Sequence, residues 1–235
     1  MISVILPTYN ERENIERLIN SIYHNLEGIP KEIIVVDDDS PDKTWEIVEG
    51  MSKVNDNIKV RRRIKQKGLV DAIKEGINLA RGNIVILMDA DFSMPPDILM
   101  RMINYLDNFD MVVGSRYVKD AKDLRDSRLR VYGSRLFNLL ARWILSSKVR
   151  DLTSGFLVFK KTAIDLSDMR GHYGEYCIGL LYKAQKDGVR ITEFPYNFVS
   201  REGGETKTDP NIFRFIQLGI IYILFVLKLK FNNIK

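Results

Sequence analysis

Three clusters of polar residues follow short apolar runs in this chain of 235 residues, and each could do chemistry. The clusters are Thr8-Tyr9-Asn10-Glu11, Asp37-Asp38-Asp39-Ser40 and Asp89-Ala90-Asp91. Carboxylates at neighbouring strand ends repel one another unless a cation lies between them, and Mg²⁺ or Mn²⁺ typically binds one or two carboxylates together with substrate phosphates. The alternative is that these aspartates cap helices and shape turns. We favour a cation site, because ligands of parallel α/β proteins bind beyond the carboxyl ends of the strands.

The composition excludes several other kinds of chemistry. The one cysteine, Cys177, excludes an internal disulfide and a Cys-based zinc site and indicates a reducing compartment. Two histidines, His24 and His172, leave almost no material for a His-ligated metal or a Ser-His-Asp triad. Dinucleotide-binding, P-loop, EF-hand and G-x-S-x-G motifs are missing. A net charge of +5 fits a membrane surface or phosphorylated ligands and argues against a nucleic-acid partner.

Hydrophobic periodicity predicts the elements that position these residues. Short apolar runs alternate with helical patterns, which predicts right-handed crossovers and a mainly parallel α/β sheet. The apolar start of the chain has no basic leader or cleavage site, so we expect a first strand there and no signal peptide. The predicted strands are 2–6, 32–36, 58–62, 84–88, 111–113, 156–159 and 191–195. The predicted helices are 11–26, 44–52, 69–80, one that opens at Pro95-Pro96, 131–145 and 176–186, with a loop over 201–210.

The last segment differs in kind. From 212 to 231 its strongly polar residues are Arg214, Gln217, Lys228 and Lys230. The uninterrupted apolar part is shorter than the ~20 residues that span a bilayer. A helix that is apolar all round must be buried, and two alternatives stay open: an interfacial membrane helix, or a helix in the core or an oligomer. Of the two alternatives we choose the first, and we predict a catalytic domain over 1–210 and an apolar membrane-associating helix with a basic tail over 211–235.

An ordered set of motifs makes the sequence resemble a known family. Residues 4–14 are V-I-L-P-T-Y-N-E-R-E-N, residues 35–42 are V-V-D-D-D-S-P-D, residues 88–97 are M-D-A-D-F-S-M-P-P-D, and residues 114–118 are G-S-R-Y-V. The segments D-L-T-S-G-F at 151–156 and R-E-G-G-E-T-K at 201–207 extend the match. Over roughly residues 1–210 the chain resembles family 2 glycosyltransferases, and among them the dolichyl-phosphate mannose synthases and their polyprenyl-phosphate relatives.

The resemblance implies a glycosyltransferase A-type, Rossmann-like fold, a nucleotide-sugar donor and a divalent cofactor, Mg²⁺ or Mn²⁺. It identifies Asp89 and Asp91 as the D-x-D pair, with Asp91 on the metal and Asp89 close to the metal or the ribose. Ser93 stands where mannose synthases often have Gln, and its hydroxyl is the third candidate metal ligand.

Motif position also implies the remaining site residues. The residues expected to bind substrate, beside Asp89, are Pro7, Tyr9, Glu11, Asp37, Asp39, Lys67, Gly68 and Lys207. Of these, the first three should line the nucleoside pocket, and the two aspartates should lie near base and ribose. The residues expected to be catalytic are Asp91 and three arginines that face the acceptor phosphate and the donor diphosphate: Arg116, Arg130 and Arg201.

One departure from the family pattern bears on the acceptor. Many family 2 enzymes place an acidic catalytic base in the helix predicted near 176, but in this chain that position falls on Leu180, with Glu175 some distance before it. A phosphomonoester with a second pKa near 6 is largely ionised at neutral pH and needs no general base, whereas a sugar hydroxyl would. The missing carboxylate therefore favours a lipid-phosphate acceptor.

These observations lead to one functional hypothesis and its alternatives. We expect inverting transfer of a hexose, first of all mannose from GDP-mannose, to dolichyl or polyprenyl phosphate at the cytoplasmic face of a membrane. UDP-glucose or UDP-N-acetylglucosamine is the alternative donor. Two alternatives belong to other classes. One is a relative that binds nucleotide-sugar without turnover, and the other is a transferase to sugar hydroxyls in a surface polysaccharide.

Overall fold

The computed structural model describes residues 1–65, 67–171, 174–201 and 212–231. In these ranges the strands are β1 Ile2–Thr8, β2 Lys31–Asp37, β3 Ile58–Arg62, β4 Ile84–Leu87, β5 Met111–Ser115, β6 Lys122–Asp123, β7 Leu157–Lys160, β8 Ile191–Pro195 and β9 Asn197–Phe198. The α-helices are α1 Ile15–Asn25, α2 Thr44–Ser52, α3 Leu69–Leu79, α4 Leu99–Asn104, α5 Arg128–Leu145, α6 Glu175–Lys186 and α7 Ile212–Phe231. Short 3₁₀ helices lie at Pro96–Ile98, Tyr105–Asp107, Lys161–Ala163 and Leu166–Asp168.

The main sheet has seven strands in the described residues, in the order β3-β2-β1-β4-β7-β5-β8. All neighbours are parallel except β7, which runs antiparallel to both β4 and β5. The strands β6 and β9 form a small separate parallel pair. This mainly parallel sheet with helices between its strands confirms the predicted α/β fold, and β7 is the exception that periodicity did not predict.

Two apolar layers bury the sheet on both faces. Along β1, Val4 and Leu6 pack into the layer that contains α1, α2 and α4, whereas Ile5 packs into the layer that contains α3, α5 and α6. All three side chains are fully buried, as expected for a central parallel strand with apolar residues on both faces.

The helix α3 lies very close to the sheet because it has a glycine at the contact. A Cβ atom built on Gly76 would overlap the side chain of Ile5 on β1 and press on Val36 of β2, at 3.2 Å from its Cγ2. This close approach packs the second half of α3 tightly against β1 and β2, and Gly68 directly precedes the helix.

The first helix begins later than predicted. The apolar periodicity suggests a start at residue 11, but α1 begins at Ile15. Asn10 has φ +55°, which bends the chain before the helix. The N–H of Glu11 donates to Thr44 Oγ1 at 3.0 Å, and the N–H of Arg12 donates to Asp42 Oδ2 at 3.0 Å. Residues 9–14 are therefore a turn held by the start of α2, and this turn belongs to the candidate site.

The helix α5 starts three residues earlier than predicted, and it packs against α7. Ser127 accepts the N–H of Arg130 at 3.4 Å, which caps the first turn. Phe137 of α5 contacts Tyr222 of α7 edge to face, with ring centroids 5.6 Å apart. Val226 and Leu229 of α7 are buried in the same apolar layer as α6. One side of α7 therefore lies in the core, and the division of the chain at 210/211 stays a prediction.

The outer sides of α5 and α7 carry exposed apolar side chains, which we call the α5–α7 face. It consists of Leu129, Tyr132, Leu136, Leu139, Leu140, Trp143, Ile220, Ile221 and Leu224. Trp143 is 80% exposed, which is unusual for the largest apolar side chain. No helix among the described residues has the length and apolar character needed to cross a membrane.

Candidate active site

The three consecutive aspartates after β2 have three different environments. Asp37 is fully buried at the strand end: it accepts the hydroxyl proton of Thr8 at 2.8 Å and the hydroxyl and N–H of Ser40 at 2.6 and 2.8 Å. These bonds tie the ends of β1 and β2 to the following turn. Asp37 was predicted near base and ribose, and its described oxygens are occupied by the protein.

Asp38 holds the loop that leads into α3. Its Oδ2 accepts the N–H of Gly68 at 2.6 Å, and its Oδ1 accepts from Arg63 Nη1 at 2.9 Å. The same Arg63 nitrogen also donates to the carbonyl of Gly68 at 3.0 Å. Burial raises the pKa of the Asp38 carboxyl, although the Gly68 N–H and Arg63 act in the opposite direction. The Lys67-Gly68 step is thereby fixed beside β2.

The carboxylate of Asp39 points outward and pairs with two basic side chains. Its φ of +54° is a left-handed conformation that aspartate tolerates better than most residues. Oδ1 lies 2.7 Å from Arg62 Nε and 2.6 Å from Arg62 Nη2, and Oδ2 lies 3.4 Å from Lys67 Nζ. The hydrogen bond from Arg62 lowers the pKa of the Asp39 carboxyl. Asp39 is therefore ionised at neutral pH.

A cleft of about 390 Å³ opens beside these residues, and we call it the nucleoside cleft after the nucleoside pocket that the motifs predict around Tyr9. It is lined by Tyr9, Asp39, Ser40, Pro41, Lys43, Trp45, Arg62 and Lys67. Three of the predicted substrate-binding residues line it, namely Tyr9, Asp39 and Lys67. The others that the structure describes lie outside the lining, and Lys207 lies outside the described residues.

Sequence reasoning did not identify Trp45 and Arg62 as site residues. The signal for Trp45 was its place in the first turn of α2, three residues after the S-P-D turn ends. Arg62 ends β3, whose parallel pairing puts it opposite Asp37. The Arg62 guanidinium lies 3.8 Å from the centroid of the Trp45 ring, so the two side chains stack.

The D-x-D pair follows β4, in the centre of the sheet. Asp89 is exposed and Asp91 is partly exposed. Ser93 is buried and donates its hydroxyl to Asp91 Oδ1 at 2.6 Å, and its N–H also approaches that oxygen at 3.1 Å. Phe92 has φ +61°, rare for a bulky residue, and this bend brings Ser93 back onto Asp91. The described contacts make Ser93 an orienting partner of Asp91; its predicted role as a metal ligand stays a prediction.

The carboxylate pair fits a divalent cation in its chemistry. Within the described ranges, no group of three His, Cys, Asp or Glu residues is placed so that it could hold a metal ion by itself. Mg²⁺ commonly binds through one or two carboxylates and completes its shell with waters and substrate phosphates. Asp89 is exposed and Asp91 has its Oδ1 fixed by Ser93, so the pair offers oxygen ligands of this kind.

Arg116 directly follows β5 and is almost completely buried. Its Nε and Nη2 donate to the two carboxylate oxygens of Asp151 at 2.8 and 2.7 Å, and Nη2 also reaches Thr153 Oγ1 at 2.8 Å. Asn138 of α5 donates to the same Thr153 oxygen at 3.0 Å. The guanidinium is 5.3 Å from the centroid of the Phe198 ring. Arg116 thus joins β5, the 151–153 turn and α5, and its contact with substrate stays a prediction.

The other two predicted arginines lie on different elements. Arg130 is partly exposed in the capped first turn of α5. Arg201 follows β9, and its Nη2 lies 2.8 and 2.9 Å from the carboxylate oxygens of Glu11. This ion pair is well shielded and links the turn after β1 to the end of the last strand. The structure therefore brings Glu11 and Arg201 together, although the motifs assigned them to different ligand groups.

The fold and the site together define a class of protein. A mixed sheet in this order, with a carboxylate pair beyond its central strand, is the GT-A-like α/β architecture. Residues 3–166 match the family described as glycosyl transferase family 2, and the chain belongs to that family.

Two curated relatives are similar over most of the chain. The dolichol-phosphate mannosyltransferase of Pyrococcus furiosus is 36% identical over 221 residues, which are 92% of this chain and 62% of that protein. This chain thus spans less than two thirds of that relative. The polyprenol monophosphomannose synthase of Mycolicibacterium smegmatis is 32% identical over 212 residues, 87% of this chain and 79% of that protein.

Solved structures agree with the fold. Glucosyl-3-phosphoglycerate synthase from Mycobacterium tuberculosis, in complex with Mn²⁺, UDP and glucosyl-3-phosphoglycerate, has a TM-score of 0.69 at 21% identity, covering 98% of this chain and 80% of that one. The same protein in complex with Mg²⁺ and UDP has a TM-score of 0.69 at 19% identity, covering 98% and 79%. At such identities the likeness defines the fold alone.

Proposed function

We propose that this protein transfers a hexose, mannose from GDP-mannose, to dolichyl or another polyprenyl phosphate, with inversion at the anomeric carbon. The observation that carries the proposal is the helix α5, which has Arg130 in its first turn and exposed apolar side chains along the rest of its length. The arginine could bind a phosphate, and the apolar side chains could contact lipid. Their place on one helix suits an acceptor that is both anionic and membrane-bound. The names of both curated relatives support the mannosyl donor and the lipid-phosphate acceptor.

On the donor side, the nucleoside cleft would bind the base and ribose, and the carboxylate pair would hold the cation that binds the diphosphate. Asp89 and Asp91 would hold Mg²⁺ or Mn²⁺, which neutralises the charge that develops on a leaving diphosphate. Ser93 keeps Asp91 in one orientation through its 2.6 Å hydrogen bond. The crystallised relatives that carry Mn²⁺ or Mg²⁺ together with UDP support this choice of cofactor.

On the acceptor side, arginines replace a general base. Leu180, where many family members would have an acidic base, is buried in the core, and Glu175 is also buried. An ionised phosphomonoester can attack the anomeric carbon without losing a proton. Arg130, and Arg201 once it leaves Glu11, can hold the acceptor phosphate and screen it from the anionic donor. Arg116, fixed by Asp151, would position α5 for this step through Thr153 and Asn138.

The α5–α7 face would hold the protein at the cytoplasmic surface of a membrane. The helix α5 contains four arginines and no acidic residue, and α7 ends with Lys228 and Lys230. Basic residues near an anionic lipid surface contribute about 1 kcal/mol each. Exposed apolar side chains on such helices bury into the boundary between headgroups and acyl chains. The polyprenyl tail stays in the bilayer, so its phosphate would meet Arg130 at that boundary.

The decisive experiment is a transfer assay with a panel of donors. The protein is incubated with Mg²⁺ or Mn²⁺, polyprenyl phosphate and radiolabelled GDP-mannose, UDP-glucose or UDP-N-acetylglucosamine. Organic-extractable label from GDP-mannose is the expected result, and extractable label from a UDP-sugar alone would replace the donor. Label in a polymer would indicate transfer to sugar hydroxyls, and nucleotide binding without product would indicate a non-catalytic binding protein.

Vesicle binding tests the membrane surface separately. The double variant Leu136→Glu/Trp143→Glu should bind vesicles of phosphatidylcholine and phosphatidylglycerol at least about tenfold more weakly, because each change removes an apolar anchor worth roughly 1.5–3 kcal/mol and adds a negative charge. Val54→Glu is the matched control, since Val54 is an apolar residue 87% exposed on another part of the surface. Equal binding by wild type, variant and control in co-sedimentation would contradict the proposed face.

A further inference from the structure

The nucleoside cleft contains one arginine that is fixed from two sides. The Arg62 guanidinium stacks on the Trp45 ring at 3.8 Å, its Nε donates to Asp39 Oδ1 at 2.7 Å, and its Nη2 forms an ion pair with the same oxygen at 2.6 Å. An aromatic face beneath a guanidinium and a carboxylate at its side remove most of its rotational freedom. A side chain fixed in this way on the wall of a cleft is suited to recognise a ligand by specific hydrogen bonds.

The N–H groups of Arg62 that do not contact Asp39 lie at the end of its guanidinium. Asp39 accepts the Nε hydrogen and lies against the neighbouring side of Nη2, and Arg62 makes no other hydrogen bond within the described ranges. The other hydrogens, two on Nη1 and one on Nη2, form an end-on fork of donors. Lys67, on the same cleft wall, adds another donor. A base edge that presents two neighbouring acceptors matches this fork.

Among the common bases, guanine presents such an edge. Its O6 and N7 are adjacent acceptors and pair with arginine in a bidentate way. Uracil offers O4 beside a C–H, and adenine and cytosine offer an amino donor that would meet the N–H groups of Arg62. We propose that Arg62, fixed by Trp45 and Asp39, is the residue that reads the base of the donor and selects guanine. This inference rests on the proposed function and adds to it the residue that determines the nucleotide.

The test is nucleotide binding measured by calorimetry on the full chain with Mg²⁺. Wild type should bind GDP at least about tenfold more tightly than UDP or ADP, since a bidentate pair discriminates by about 1–3 kcal/mol. Arg62→Lys keeps the charge but loses the fork, and Arg62→Ala loses both, so each should weaken GDP binding about tenfold and change UDP binding by less than threefold. Arg61→Ala is the matched control, because Arg61 is the preceding residue and pairs with Glu75 instead.

The outcomes separate this inference from the proposed function. Equal loss of GDP and UDP binding in Arg62→Lys would mean that Arg62 acts only through Asp39, and tighter binding of UDP than GDP by wild type would also overturn guanine selection. In either case, label transfer from a nucleotide-sugar to polyprenyl phosphate would still support the proposed function. If wild type binds none of the nucleotides, both proposals fail. Unchanged circular dichroism and melting temperature in Arg62→Lys would show that its fold is intact.

Discussion

At the scale of single residues, the consecutive aspartates Asp37, Asp38 and Asp39 make different contacts because their backbone conformations differ. Asp37 is the last residue of a strand and faces Thr8 of the adjacent strand. Asp38 faces the loop before α3, and the left-handed backbone of Asp39 turns its carboxylate toward the cleft. One carboxylate therefore ties two strand ends together, one fixes a loop, and one faces the cleft.

The first prediction at this scale concerns Asp91. Asp91→Asn should lower kcat at least about a hundredfold, roughly 2.7 kcal/mol in the barrier, because a neutral amide is a poor ligand for a hard cation. Ser93→Ala, which only releases one oxygen of Asp91, should cost about tenfold. Steady-state kinetics at several Mn²⁺ concentrations measures both effects. Asp97→Asn, an exposed aspartate in the same motif, is the control, and equal activities of all three variants would remove Asp91 from the mechanism.

A second prediction concerns Arg130 in the first turn of α5. Arg130→Lys keeps the charge but loses the planar fork that binds phosphate in a bidentate way, so we expect kcat to fall about tenfold or more and GDP affinity to stay within twofold. Arg128→Lys is the control, because Arg128 is exposed on the same turn. Transfer kinetics and calorimetry are compared for the two variants. A parallel loss of GDP affinity would assign Arg130 to the donor instead.

At the scale of elements, the distance between α3 and the sheet decides how the Lys67-Gly68 step is presented. Gly76→Ala should destabilise the protein by about 1–3 kcal/mol, since the new methyl overlaps Ile5, and the displaced helix should raise the KM for the donor. Gly50→Ala in α2 has open space and should instead stabilise by up to about 1 kcal/mol. Urea unfolding of both variants measures the contrast. A Gly76→Ala protein as stable as wild type would show that α3 can shift at little cost.

The elements also show what could be predicted from the sequence. Apolar periodicity located β3 and α2 at their observed bounds, because both are short amphipathic segments between clear turns. It could not predict that β7 is antiparallel, because a buried strand has the same apolar pattern in either direction. The start of α1 was placed too early, since the Glu11–Thr44 bond that holds the preceding turn joins residues far apart in sequence. The D-x-D pair was visible as a motif, whereas the Trp45–Arg62 stack depends on tertiary structure.

At the scale of the whole molecule, the two ends of the sheet serve different purposes. The carboxyl end carries the candidate site, and the amino end carries a buried ion cluster around Glu32. This carboxylate accepts from Ser3 Oγ and the Arg81 N–H at 2.6 Å each and from Lys59 Nζ at 2.9 Å. Burial alone would raise the pKa of Glu32, but the bonds from Lys59, Ser3 and Arg81 prevail and lower it to about 2. Glu32 thus links β1, β2, β3 and the end of α3.

The corresponding prediction is a pH dependence of stability. A carboxyl whose pKa is lowered on folding stabilises the protein above its unfolded pKa near 4.5, and this contribution is lost as the pH falls toward 2. Between pH 6 and pH 3 wild type should therefore lose about 2 kcal/mol more stability than Glu32→Gln. Urea unfolding at both pH values measures the difference, and identical slopes would contradict the assignment. Donor KM should not change, because Glu32 lies about 17 Å along β2 from Asp37.

The antiparallel strand β7 has a geometric consequence. It lies between β4, which leads to the D-x-D pair, and β5, which leads to Arg116, so these two strands are two inter-strand steps apart, about 9–10 Å. That distance is twice the spacing between hydrogen-bonded strands, and the backbone sets it independently of the side chains. The sheet therefore fixes the distance between the D-x-D pair and Arg116, which we propose to lie on the leaving-group side and the acceptor side of the sugar. A point mutation can replace the D-x-D pair or Arg116, but only the insertion or loss of a strand can change the distance between the strands that carry them.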